Sequence, residues 1–152
     1  MDLRRWQQGI IDGLPDILKA HRRFIIKAPT GEGKTVLASQ IISQFYEGKK
    51  VIVLCHRLVL LEQLERALGK AHRVQKLNLT KNEKPFTDYE VLLSTSTRAK
   101  DILDDAIKQA DLLIIDEAHR VSPNGTGYKR ILDCFNEHGK DDAHMLGLTA
   151  SP

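Results

Sequence analysis

Ala28-Pro29-Thr30-Gly31-Glu32-Gly33-Lys34-Thr35 directly follows a short apolar run, Phe24-Ile25-Ile26, and opens a segment whose apolar residues Val36, Leu37, Ile41 and Ile42 recur at helical spacing. A strand, a glycine-containing turn and a helix in that order are the context of a phosphate-binding loop. The stretch departs from G-x-x-x-x-G-K-[ST] only in carrying Ala28 at the first position. Gly31 and Gly33 allow backbone N–H groups to converge on phosphate oxygens, and the helix that starts near Lys34 adds the positive end of its dipole. Lys34 is suited to the β and γ phosphates and the Thr35 hydroxyl to Mg²⁺. The plainer alternative is a glycine turn followed by a solvent-exposed lysine.

Farther along, Leu112-Leu113-Ile114-Ile115 runs into Asp116-Glu117-Ala118-His119, so an apolar strand delivers adjacent carboxylates at its carboxyl end. A phosphate-loop ATPase needs one acid for the shell of its metal and a second to orient water, which assigns Asp116 to the first task and Glu117 to the second. Acids after a strand also serve as helix caps or solvated turns. The upstream loop favours the chemical reading.

Between and around these segments the pattern alternates. Helical spacing predicts helices over residues 4–19, interrupted by Gly13 and Pro15, over 58–68 closed by Gly69, over 97–110 and over 128–137. Apolar runs predict strands over 24–28, 51–55, 91–94, 112–116 and 145–149, with a weaker one over 74–79; residues 78–88 and 122–127 read as loops. Strands alternating with helices imply parallel pairing through crossovers, hence a three-layer α/β sandwich with a mainly parallel sheet. Ligands of such sheets sit at the carboxyl ends of the strands.

Composition agrees. With 152 residues, 41% hydrophobic and 28% charged, the chain is expected to form a single globular domain. No apolar run approaches the roughly 20 residues of a membrane-spanning helix, so no membrane partner is expected. The N-terminal residues have no apolar signal core, which points to a cytoplasmic location. Cys55 and Cys134 lack metal-ligand spacing and read as small buried core residues. The balance of 23 Lys+Arg against 20 Asp+Glu is too even to argue for a nucleic-acid partner, and the local cluster Lys70, Arg73, Lys76, Lys81 and Lys84 reads first as a solvated face.

Thr30 to Thr35 together with Asp116-Glu117-Ala118-His119 resembles motifs I and II of superfamily 2 helicases and translocases of the DEAD/DEAH-box type. Leu148-Thr149-Ala150-Ser151-Pro152 resembles motif III, and Leu3-Arg4-Arg5-Trp6-Gln7 is similar to the family's adenine-reading element, with Arg5 where proline is usual. His56-Arg57 and residues 58–63 resemble motif Ia, while Thr95-Ser96-Thr97-Arg98 stands in the place of motif Ib. The resemblance extends over nearly the whole chain, and motifs I and II are its specific part.

The resemblance implies a RecA-like P-loop NTPase fold that binds ATP with Mg²⁺. Arg4, Gln7, Thr30, Gly31, Glu32, Gly33, Lys34 and Thr35 would contact the nucleotide, Thr35 and Asp116 the metal, and Lys34, Asp116 and Glu117 the reaction. A side-chain amide such as that of Gln7 matches the adenine edge, although on sequence alone Gln7 is an ordinary surface residue. Arg57, Thr95 and Arg98 would grip the backbone of DNA or RNA; Thr97 as a helix cap and Arg57 as a surface charge are the alternatives. His119, Thr149 and Ser151 would couple the nucleotide state to that grip; His119 otherwise reads as a surface or helix-end histidine. The family works with a second RecA-like domain carrying an arginine finger, so the chain is expected to be an N-terminal motor domain ending after motif III. Alone it would be nearly inactive. Other classes stay open: a passive nucleotide or nucleic-acid binding module without turnover, or a P-loop kinase of a small metabolite. The kinase lacks a lid-like basic insert and leaves residues 148–152 unexplained.

Overall fold

The computed structural model describes residues 3–28, 32–55, 58–77, 88–94, 104–116 and 128–149. The elements run α1 (Arg5–Ala20), β1 (Arg23–Lys27), α2 (Glu32–Phe45), β2 (Val51–Leu54), α3 (Leu58–Leu68), β3 (Val74–Lys76), β4 (Val91–Ser94), α4 (Asp104–Gln109), β5 (Leu112–Asp116), α5 (Tyr128–His138) and β6 (His144–Thr149). The strands form one six-stranded sheet in the order β1-β6-β5-β2-β4-β3, and every pairing is parallel. The expected sandwich is therefore present, with a wholly parallel sheet.

Position in the sheet explains composition. β2, β4 and β5 have neighbours on both sides and helices over both faces, so all their residues are buried and their sequences are unbroken apolar runs. β1 lies at an edge and alternates: Phe24 and Ile26 turn toward one core, while Ile25 is 65% exposed on the other face. One core packs α1, α2 and α3 on the sheet through Leu14, Leu37, Ile41, Leu61 and Leu64. The second packs α4 and α5 on the opposite face through Ile107, Ile131 and Phe135.

Helix α1 passes through Pro15 without stopping. Proline costs about 3 kcal/mol in a helix interior. Burying Ile11 and Leu14 contributes about 1.5–3 kcal/mol each, enough to offset it. At its other end α1 is tied down by a relay: the His144 imidazole lies 2.8 Å from the Leu18 carbonyl and 3.0 Å from the Tyr46 hydroxyl, joining α1, α2 and β6. Burial first, and the Asp111 carboxylate second, push the Tyr46 phenol well above its ordinary range, so its proton stays in place. Helix α3 ends where expected, at Gly69; its N–H reaches the Glu65 carbonyl at 2.8 Å, and a Cβ there would stand 2.7 Å from that oxygen.

The amino edge of the sheet is held by a polar chain. Ser43 Oγ lies 3.1 Å from His72 Nε2, His72 Nδ1 lies 3.0 Å from Glu90 Oε2, and Arg73 approaches Glu90 Oε1 at 3.3 Å. Two of the cationic residues clustered between positions 70 and 84 are thus paired within the fold, Arg73 with Glu90 and Lys76 with Glu65. The hydrogen bond from His72, and secondarily the Arg73 charge, hold the Glu90 carboxyl below its ordinary 4.5 despite partial desolvation. A depressed carboxylate stabilises the fold above its unfolded pKa, and that contribution disappears as pH falls through the folded value. Glu90→Gln is therefore expected to unfold at lower urea concentration than the parent at neutral pH, with the gap closing below pH 4.5. Identical midpoints at neutral pH would contradict this.

Candidate active site

The parallel register brings the carboxyl ends of four strands together. Lys27 of β1 pairs with Thr149 of β6, Asp116 of β5 with Leu148 of β6, and Leu54 of β2 with Ile115 of β5. Side chains alternate along a strand, so Asp116 faces the same side as Leu112 and Ile114, the side on which α2 packs. Helix α2 begins at Glu32, shortly after β1, and carries Lys34 and Thr35 in its first turn. An apolar strand and the first turn of a largely buried helix thus place a cation and a carboxylate against one another.

Lys34 Nζ lies 3.1 Å from Asp116 Oδ1, with Lys34 5% and Asp116 2% exposed. Neither a solvated lysine nor a solvated turn acid fits these values. Taking both charges out of water is costly, and the pair persists because each partner compensates the other. The second oxygen of Asp116, Oδ2, accepts from the Cys55 thiol at 3.6 Å. Thr35 Oγ1 is buried and has no hydrogen-bond partner among the described residues. A water-sized cavity of about 10 Å³ lies among Lys34, Thr35 and Asp116 and the apolar side chains of Val53, Leu64 and Ile114. An orphaned hydroxyl beside a buried carboxylate is an oxygen donor set that suits a hard divalent cation, and buried polar groups without partners require an explanation.

Helix α1 abuts the same helix start. Gln7 is only 1% exposed; its Nε2 donates to the Gly33 carbonyl at 2.9 Å and its Oε1 accepts from the Arg4 backbone N–H at 2.8 Å. The surface placement that sequence alone suggests for Gln7 is thus incorrect, because its amide bridges the first turns of α1 and α2. The Trp6 ring covers Gly33 so closely that a Cβ there would lie 2.9 Å from it. Glycine at position 33 therefore serves helix packing as well as the turn. Arg4 stands exposed at the N-cap of α1. Thr149 is buried at the end of β6, and its carbonyl accepts from the Ala28 N–H at 2.9 Å.

Of the residues expected to act here, Lys34, Thr35 and Asp116 converge, and Gln7 and Gly33 adjoin them. Glu32 begins α2, though its side chain is outside the described residues, as are Thr30, Gly31, Arg57, Thr95, Arg98, Glu117, His119 and Ser151. Sequence reasoning missed Cys55 and Trp6 as neighbours of the site. Odd spacing, Val51, Val53 and Cys55, marks Cys55 for the Asp116 face, but only the pairing of β2 with β5 makes them adjacent. Among the described residues no helix is long and apolar enough to cross a membrane.

A family model described as type III restriction enzyme, res subunit, matches residues 1–152. No curated protein matches significantly. Among solved structures, the Sulfolobus solfataricus SWI2/SNF2 ATPase core in complex with dsDNA superposes with a TM-score of 0.73 at 20% identity, over 100% of this chain and 32% of that one. The UvsW helicase from bacteriophage T4 gives 0.72 at 18% identity, over 99% and 53%. A nuclease-deletion mutant of the type ISP restriction-modification enzyme LlaGI, bound to a DNA substrate mimic, gives 0.70 at 19%, over 100% and 18%. At these identities the likeness is one of fold, that of a RecA-like P-loop NTPase domain. The chain spans from under a fifth to about half the length of these neighbours.

Proposed function

The chain belongs to the family of the type III restriction enzyme res subunit, a family of helicase-like ATPase motor domains, and from that premise we propose that it is the ATP-binding motor domain of a nucleic-acid-dependent ATPase. The observation that carries this reading is the buried meeting of Lys34, Thr35 and Asp116 at the first turn of α2. Each has the chemistry required. Lys34 binds phosphate oxygens as a point charge, aided by the helix dipole. Thr35 and Asp116 would hold Mg²⁺, which when bound with ATP neutralises phosphate charge. Glu117 orients water and takes its proton. Gln7, with Arg4 beside it, reads the adenine edge, and Thr30, Gly31, Glu32 and Gly33 complete the loop around the phosphates.

Nucleic acid is held through its backbone by Arg57, Thr95 and Arg98, with His119, Thr149 and Ser151 linking that grip to the nucleotide. One neighbouring structure is a complex with dsDNA and another with a DNA substrate mimic, which supports a DNA or RNA partner here. A second RecA-like domain supplies an arginine finger, a contribution of roughly 10³–10⁵ in rate, so this domain alone turns over slowly. The test is ATP hydrolysis by the two-domain protein, measured with single-stranded and duplex DNA and RNA. Stimulation by at least one of them is expected; hydrolysis indifferent to all four would contradict the motor reading, and binding without hydrolysis would favour a passive module.

A further inference from the structure

Strand β2 ends at Leu54, and the next residue, Cys55, continues its register alongside Asp116, with the Cys55 N–H bonded to the Ser94 carbonyl at 3.1 Å. Cys55 is fully buried. Its Sγ lies 3.6 Å from Asp116 Oδ2, while Lys34 occupies Oδ1. The two oxygens of Asp116 are thus divided between a charged donor that phosphate can draw away and a neutral donor fixed to the sheet. On the reading of this site as a nucleotide site, we infer that Cys55 is a positioning residue for the metal-holding carboxylate. Its S–H bond keeps the plane of Asp116 in place when Lys34 turns to phosphate, and so sets how readily Mg²⁺ is held.

A buried carboxylate must have its lone pairs satisfied or reorient to find partners. A side chain without a donor at position 55 would remove this partner of Oδ2 and free the carboxylate to rotate. A thiol is a weak donor, so it orients Asp116 without competing strongly against a divalent cation for the same oxygen. Orientation of the metal-binding group from behind is the part played by outer-shell hydrogen bonds in metal sites generally.

The experiment titrates Mg²⁺ against binding of a fluorescent ATP analogue to the parent protein, Cys55→Ala and Cys55→Ser, with a parallel titration in EDTA. Cys55→Ala is expected to need roughly three- to ten-fold more Mg²⁺ for half-maximal binding, the effect of one modest hydrogen bond, with metal-free affinity unchanged. Cys55→Ser, which keeps a donor, is expected to return most of that loss. The chain has 2 cysteines, so the S–H infrared stretch of Cys55 is isolated in Cys134→Ala. That band is expected to shift in Asp116→Asn. Equal Mg²⁺ dependence in the parent and Cys55→Ala, or a stretch indifferent to Asp116→Asn, would overturn the inference while leaving the nucleotide site intact. Failure of the parent itself to bind the analogue with Mg²⁺ would overturn the nucleotide reading instead. Should Cys55→Ala not fold, the infrared shift decides the matter.

Discussion

Lys34→Ala is expected to lower stability by about 3–5 kcal/mol and to abolish Mg·ATP binding or weaken it severely. The stability loss follows from burial. Lys34 and Asp116 are 5% and 2% exposed and 3.1 Å apart, and alanine would leave a carboxylate in the interior with the Cys55 thiol in place of a cation. Removing one partner of a buried pair is far costlier than removing both charges. The double variant Lys34→Met with Asp116→Asn is accordingly expected to regain much of the stability in urea unfolding, yet not to bind nucleotide. This separates two roles. A purely structural pair would show the same recovery of stability with no connection to nucleotide in any variant. In a phosphate site, affinity stays lost when stability returns.

Glu117→Gln is expected to divide binding from turnover in a protein carrying the proposed second RecA-like domain. The amide preserves size and hydrogen-bonding capacity but cannot accept a proton from water, and loss of a general base costs roughly 10²–10⁴ in rate. Mg·ATP affinity should remain near that of the parent, because the phosphate contacts assigned to Lys34 and the metal contacts assigned to Thr35 and Asp116 are untouched. Single-turnover hydrolysis measures the first quantity and fluorescence titration the second. Turnover near the parental rate would remove Glu117 from its assigned role, and its task would pass to another group at the carboxyl edge of the sheet.

Much of the architecture is legible in the chain because buried parallel strands write themselves as unbroken apolar runs. The expected strands at 91–94 and 112–116 coincide with β4 and β5, and the expected helix at 58–68 coincides with α3. Elements on the periphery are less distinct. β3, at the sheet edge, is described over Val74–Lys76, within the expected 74–79, and residues 78–79 fall outside the described residues. Pro15 suggests an interruption that tertiary burial of Ile11 and Leu14 overrides. Helix α4 is described over Asp104–Gln109, within the expected 97–110, and residues 97–103 fall outside the described residues.

The site divides in the same way. Lys34, Thr35 and Asp116 declare themselves through local motifs, because a phosphate loop and a strand-end acid are short-range patterns. Gln7, Trp6 and Cys55 do not, because their significance depends on contacts across the chain: Gln7 with Gly33 across 26 residues and Cys55 with Asp116 across 61. Period-two alternation tells which face Cys55 occupies. It cannot tell that β5 rather than β4 or β6 carries the neighbouring side chain, since strand order is set by the crossovers as a whole.

The central claim is that Lys34, Thr35 and Asp116 form one site for a nucleoside triphosphate and its metal. A crystal structure of this chain grown with Mg²⁺ and a non-hydrolysable ATP analogue tests it most directly. The expected result is Lys34 Nζ drawn from Asp116 onto phosphate oxygen, with Thr35 Oγ1 and the Asp116 carboxylate in the shell of the metal. Density for the analogue elsewhere, or a Lys34–Asp116 pair unchanged at saturating nucleotide, would contradict it.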